Sequence, residues 1–268
     1  MRTVAVTNRK GGVGKSSLTT NLAAALALEG KRVLVIDMDS QASATAVFLD
    51  ELPASAPSTA HVLIGQAALA DIIRPSTREG VFIAPASRDL TAAQLSIVAR
   101  TGRETILRRA LRAIDGYDLV LIDTAPEQQL ATVNSLVAAQ YVLMPFTPDP
   151  KALEGLQTTS EAVAEIRAAE LGDASIIGCV QVAHDRRLSV TDQARQQVKA
   201  AYGDALLETR IRANSSFIVC PAWHRDIFEI ERSERPPRRG SDDYRALASE
   251  LGERLGFVKE ESHAQVAG

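Results

Sequence analysis

The run TVAVTNRKGGVGKSSLTTNLAAALALEG, residues 3–30, constrains the fold more than any other part of the chain. Its β-branched start (3–8) predicts a buried strand, and KSSLTTNLAAALALEG (15–30) predicts a helix that stops at Gly30. Between them Gly11, Gly12, Val13 and Gly14 let the backbone turn tightly from strand to helix. Further apolar runs at 32–39, 81–87, 118–123, 140–146 and 175–182 predict strands. Helical patterns lie near 89–114, 127–139, 151–170, 188–202 and 242–255. Continuous apolar strands separated by helices imply an α/β fold, a mostly parallel central sheet with helices on both faces. Ligands of such sheets bind at the carboxyl ends of the strands. The chemistry-bearing segments 8–16, 37–41 and 123–126 fall there.

Nothing divides this pattern clearly. ELPASAPSTA (51–60) predicts a surface loop and SERPPRRGSDD (233–243) a second irregular segment, and no repeats are visible. One domain over 1–256 is expected, followed by a patternless tail (257–268) that frays. The 268 residues are 46% hydrophobic and 24% charged, enough for a substantial core. No run approaches the roughly 20 apolar residues of a membrane span. Thr3 to Thr7 reads as a strand rather than as part of a signal peptide.

Cys179 and Cys220 stand far apart without a C-x-x-C spacing, which argues against a disulfide or metal framework and fits a reducing cytoplasm. His61, His184, His224 and His263 show no ligand spacing. The net charge of −3 means that any affinity for nucleic acid must come from a local patch.

The loop itself departs from the common phosphate-binding pattern G-x-x-x-x-G-K-[ST], because Arg9 stands where that pattern places its first glycine. It carries two lysines, Lys10 and Lys15. Glycine-loop N–H groups and the following helix N-terminus suit phosphate oxygens. Lys15 can reach the β- and γ-phosphates, and the Ser16 hydroxyl can ligate Mg²⁺. LVLIDTAP ends an apolar strand in Asp123, the acid expected to hold Mg²⁺ directly or through water. Asp37 and Asp39 end the preceding strand, and strand alternation predicts that they share one side, one bracing the metal and one reaching toward a water. A tight turn for the glycines and solvated strand-end carboxylates for the two aspartates are the plainer alternatives. The expectation is a P-loop NTPase using ATP and Mg²⁺, in which Asp39→Ala slows hydrolysis with ATP binding largely kept.

The segments KGGVGKS, VLVIDMDSQASAT, YDLVLIDTAP and PFTPDPKALEGLQ resemble the ParA family of deviant Walker-type ATPases, over about residues 2–255. The resemblance implies that Lys10 reaches across a homodimer to the partner's ATP, so that two nucleotides are sandwiched between two protomers. It implies phosphate binding by Gly11 to Ser16 with Lys15, and a place for Ser17 near the α-phosphate. Ser16 and Asp123 would serve Mg²⁺, Asp37 would support that site, and Asp39 would position or activate the attacking water. RIRAN (210–214) matches a base-contacting region, which makes Asn214 an adenine candidate. Ser40 and Glu127 depart from the family pattern, with consequences expected for switch movement and hydrolysis rate rather than for phosphate contacts.

The family's ATP dimers bind double-stranded DNA without sequence preference, and a separate ParB-like cargo adaptor stimulates hydrolysis. Here residues 186–239 hold eleven Arg and Lys against seven Asp and Glu. Arg186, Arg187, Arg210, Arg212, Arg225, Arg238, Arg239 and Arg245 are the candidate DNA contacts, with scattered solvated arginines as the alternative. A DNA-partitioning ATPase, cytoplasmic and nucleoid-associated, is the leading expectation. Because the sequence starts at the first strand, the operator-binding extension of some plasmid members is not expected. Positioning of a protein cargo on the nucleoid is the next reading. A MinD-like membrane cycle lacks a basic amphipathic end in GFVKEESHAQVAG, and a metal-cluster carrier lacks paired cysteines. A small-molecule ligase of the same fold, or a scaffold that only binds nucleotide, stays open.

Overall fold

The computed structural model describes residues 1–126, 129–184, 190–233 and 239–257. Through them the chain runs β1 (Arg2–Val6), α1 (Lys15–Leu28), β2 (Val33–Met38), α2 (Ser43–Phe48), α3 (Thr59–Ile64), α4 (Leu69–Ile72), β3 (Arg74–Pro75) and β4 (Val81–Ala84). There follow α5 (Leu90–Ser96), α6 (Ile106–Leu111), β5 (Leu119–Thr124), α7 (Leu130–Ala138), β6 (Tyr141–Phe146), α8 (Ala152–Ala168) and β7 (Ser175–His184). The last elements are α9 (Val190–Tyr202), β8 (Leu206–Arg212), α10 (Ser216–Val219), α11 (Ile227–Ser233) and α12 (Arg239–Leu255).

The strands form one sheet in the order β3-β4-β2-β5-β1-β6-β7-β8. Among the described residues only the short edge strand β3 runs antiparallel to its neighbour. Alternation along β2 shows why both faces need helices. Val33 and Val35 join Leu18, Leu22 and Leu26 of α1 and Leu247 and Leu251 of α12 in one buried cluster. Leu34 and Ile36 join Leu63 of α3 and Leu107 of α6 in the cluster on the other face. Each leucine so buried contributes about 1.5–3 kcal/mol over an exposed one. The Ala23-Ala24-Ala25 run of α1 is wholly buried, and small side chains there let α12 pack close over it. Gly30 ends that helix with φ 82, a backbone shape that glycine adopts without strain.

The expected α/β architecture is present, with local differences and several short elements that the sequence pattern did not mark, β3, α2, α4, α10 and α11 among them. The stretch near 89–114 is two short helices, separated by Gly102 at φ 70 and a 3₁₀ turn at Arg103–Thr105. The 51–60 loop ends early, because α3 starts at Thr59 behind Ser58, whose hydroxyl lies 3.3 Å from His61 Nδ1. β8 was hidden by Glu208, Arg210 and Arg212, which alternate with buried Leu207 and Ile211 on the outermost strand. α12 begins within 233–243, because the buried Glu231 carboxylate accepts the N–H groups of Gly240 and Ser241 at its first turn.

Candidate active site at the phosphate-binding loop

β1 delivers the loop and Asn8 anchors it. The Asn8 amide donates to the Pro145 carbonyl on β6 (2.8 Å), and its oxygen accepts the Lys10 N–H (2.9 Å). α8 packs close because Gly155 faces this amide; a Cβ there would lie 2.7 Å from Asn8 Oδ1. Gly12 and Gly14 both take φ 72, turning the chain into α1. The first-turn N–H groups of that helix have no intrahelical partners, which is the ordinary basis of anion binding. From behind, the Tyr244 hydroxyl of α12 donates to the Ser17 carbonyl (3.2 Å). Asn21 accepts the Ile227 N–H of α11 (2.7 Å) and donates to the same Ser17 carbonyl (2.8 Å).

Charge is concentrated in front of that helix end. Lys15 is buried, and its ammonium donates to the Lys10 carbonyl (3.2 Å). Burial lowers its pKa, opposed by Asp123 and Asp39. Asp123 is fully buried at the end of β5. One carboxylate oxygen accepts the Thr19 hydroxyl (3.2 Å), while Oδ2 is buried with no partner among the described residues. Burial, reinforced by the nearby Asp37 charge, pushes its carboxyl well above the usual range. An orphaned acidic oxygen near the Ser16 hydroxyl is the donor set of a hard divalent cation, and the residues present fit Mg²⁺.

Asp37 and Asp39 do not share one task. β2 ends at Met38, so strand alternation stops before Asp39. Asp37 sits in register with Asp123 and its carboxyl is also raised by burial. Both of its oxygens are used: Oδ2 accepts the N–H (2.8 Å) and hydroxyl (2.7 Å) of Thr45, and Oδ1 accepts the Asp39 N–H (3.1 Å). Asp39 instead faces the phosphate cleft, with one oxygen accepting the Gln41 N–H (2.9 Å).

The cleft holds about 410 Å³ and is lined by Gly12, Gly14, Lys15, Ser16, Ser17 and Asp39. Gln41, Ser43, Cys220 and Pro221 also line it, and sequence reasoning missed them. Gln41 and Ser43 lie two and four residues after Asp39, within the same DMDSQASAT segment. Cys220 and Pro221 arrive from the far end of the chain with no motif to mark them.

Asn214, the adenine candidate, does not line this cleft. Its amide donates to Glu231 (2.9 Å) and its oxygen accepts the Ser216 N–H (2.9 Å), which fixes the α10–α12 corner. The loop that does reach the cleft lies six residues further on.

Lys10 is likewise outside the cleft lining, and its ammonium is ion-paired with Asp149, just past β6. Among the candidate DNA contacts, Arg212 grips Asp243 through two guanidinium nitrogens (2.9 and 2.6 Å) and also donates to the Arg239 carbonyl (3.0 Å). Arg210 pairs with Asp192 (3.1 Å), and the Arg245 guanidinium lies 5.0 Å from the Phe228 ring centre. Arg225 and Arg239 are exposed and make no ion pair among the described residues. Arg186, Arg187 and Arg238 lie outside the described residues.

Residues 1–174 match the model of a family described as an AAA domain. The chain is 33% identical to the sporulation initiation inhibitor protein Soj of Bacillus subtilis, over 92% of this chain and 97% of that one. It is 33% identical to the chromosome-partitioning ATPase Soj of Thermus thermophilus, over 95% and 97% of the two chains. Its fold matches the crystal structure of cobyrinic acid a,c-diamide synthase from Mycobacterium smegmatis with bound ADP and magnesium. That match has a TM-score of 0.81 and 27% identity, and covers 96% of each chain.

Proposed function

This chain belongs to the ParA/MinD-type P-loop ATPases, and we propose that it is a partitioning ATPase whose ATP-bound dimer holds DNA without sequence preference. Relatives named for chromosome partitioning match nearly its whole length. The observation that carries the reading is the second lysine. Lys15 already lines the phosphate cleft, whereas Lys10 lies outside that lining with its ammonium on Asp149. A cation in that place rewards association with a second copy only while that copy holds a triphosphate.

In this reading Gly11 to Ser16 and Lys15 hold the phosphates of ATP, and Ser17 lies near the α-phosphate. Ser16 and Asp123 would hold Mg²⁺, with Asp37 behind Asp123. The ion supplies neutralisation of charge on the phosphate oxygens. Asp39 orients the attacking water from the cleft wall. Cys220 and Pro221 replace Asn214 as the surface for the base. Exposed arginines, Arg225 and Arg239 among them, meet DNA phosphates. A separate cargo adaptor stimulates hydrolysis and resets the dimer, and the protein works in the cytoplasm on the nucleoid. No helix among the described residues is long and apolar enough to cross a membrane.

The test is retention on random-sequence double-stranded DNA with Mg²⁺ and ATP, ADP or no nucleotide, with Lys15→Ala and Arg187→Ala alongside. Retention with ATP alone, lost in both variants and at high salt, is the expected result. No retention in any state would sink the partitioning reading. The likeness to the Mycobacterium smegmatis synthase favours a small-molecule ligase as second reading, which predicts turnover of a carboxylate substrate without DNA or adaptor.

A further inference from the structure

We propose that Asp149 is a positioning residue for Lys10, holding its ammonium on its own chain until a second ATP-bound copy takes it over; this rests on the dimer reading above. Both partners of the ion pair are partly open to solvent, with 34% of the Lys10 and 28% of the Asp149 side chain exposed, so the lysine is held yet exchangeable. Asp149 is fixed in advance. Its Oδ2 accepts the Thr147 hydroxyl (2.6 Å), its Oδ1 accepts the Lys151 N–H (2.9 Å), and its own N–H donates to the Thr147 carbonyl (2.9 Å). The Lys10 backbone is fixed as well, through Asn8 to β6, the strand that leads into Asp149. Only the Lys10 side chain is left free to choose between partners.

The two lysines of the loop are therefore both parked. Lys15 rests on the Lys10 carbonyl beside the acids that phosphates will face, and Lys10 rests on a carboxylate that stands in for a phosphate. A carboxylate-bound ammonium has its charge largely neutralised, so its pull on another copy's triphosphate is reduced until it lets go. Exposed pairs of this kind shift an equilibrium by a few-fold each. A dimer that commits two lysines multiplies the two effects. Removing the hold should tighten nucleotide-dependent dimerisation on the order of ten-fold.

The experiment is sedimentation velocity of the full chain with Mg²⁺ and a non-hydrolysable ATP analogue, over a range of protein concentrations. Wild type, Asp149→Asn, Asp149→Glu, Lys10→Ala and the double variant Lys10→Ala with Asp149→Asn are compared. Asp149→Asn should dimerise on the order of ten-fold more tightly, with monomer affinity for fluorescent ADP unchanged. Asp149→Glu should return toward wild type. The double variant should match Lys10→Ala, since Asp149 acts through the lysine. Wild-type dimers with no change in Asp149→Asn would overturn the proposal alone, as would tightening that persists without Lys10. A wild type that stays monomeric at every concentration would overturn the sandwich-dimer reading and this proposal with it.

Discussion

Beside the phosphate cleft Asp123 and Lys15 are buried with too few partners, whereas Arg210 and Arg212 of β8 and Glu250 of α12 are partly exposed and already satisfied. Asp123 keeps an orphaned oxygen and a raised pKa beside a desolvated Lys15. In the second region Arg212 spends its guanidinium on Asp243 and Arg210 turns to Asp192. The Glu250 carboxylate accepts the N–H groups of Glu208 and Thr209 (2.8 and 2.9 Å). Unmet electrostatic demand marks a place built for a ligand, because burying unpaired charge is costly unless binding offsets it. Met demand marks architecture, even where the residue type suggests nucleic acid.

The sharpest way to break this contrast is Lys15→Ala. Loss of Lys15, the buried cation lining the phosphate cleft, should lower ATP hydrolysis on the order of 10²-fold or more. Phosphate release under saturating ATP checks it, with a thermal melt to show that the variant is folded. Near-normal hydrolysis would mean that the buried charges at this edge do not serve nucleotide.

Asp123→Asn tests the same edge without nucleotide. The folded Asp123 carboxyl is pushed up to about 8 by burial and Asp37, from the ordinary 3.8 of an aspartate. Between those values the folded chain keeps a proton that the unfolded chain releases, so this group's contribution is intact at low pH. It falls as pH rises toward the folded value. The variant removes that loss. In Mg²⁺- and nucleotide-free buffer it should gain stability over wild type at pH 8, on the order of 1–3 kcal/mol, and gain little at pH 5. Equal gains at both pH values would show that Asp123 is not strained by its burial.

Arg212→Ala probes the satisfied region. It leaves the buried Asp243 carboxylate without its guanidinium, and should cost about 1–3 kcal/mol in urea unfolding. Unchanged stability combined with weakened DNA retention would reverse the assignment and make Arg212 a contact residue.

The two regions also differ in how far the sequence disclosed them. KGGVGKSS and the strand ending in Asp123 are local patterns, in which neighbours in sequence are neighbours in the site. The strands around them show as apolar runs for the same local reason. The Thr45 bonds to Asp37 were not legible, because Thr45 comes from a short helix with no strong pattern. Asp149 and Cys220–Pro221 were missed because tertiary packing alone brings them to the loop. The arginines are the extreme case. Whether Arg212 is free or paired depends on Asp243, some thirty residues away on another element, and composition over 186–239 cannot say.

The smallest effects should come from Arg225→Ala and Arg239→Ala, exposed arginines that make no close ion pair among the described residues. Both residues are exposed, so each variant should unfold within about 0.5 kcal/mol of wild type. If either meets a DNA phosphate, its loss removes one released counterion. The slope of log affinity against log salt should then fall by about 0.9, while retention at low salt drops only a few-fold. The paired measurement separates the two kinds of arginine. Arg212 should move stability first, and these two should move the salt slope alone. A salt slope that stays at the wild-type value in both variants would exclude Arg225 and Arg239 as phosphate contacts. Freedom from ion pairing would then be no guide to which arginines on this face meet DNA.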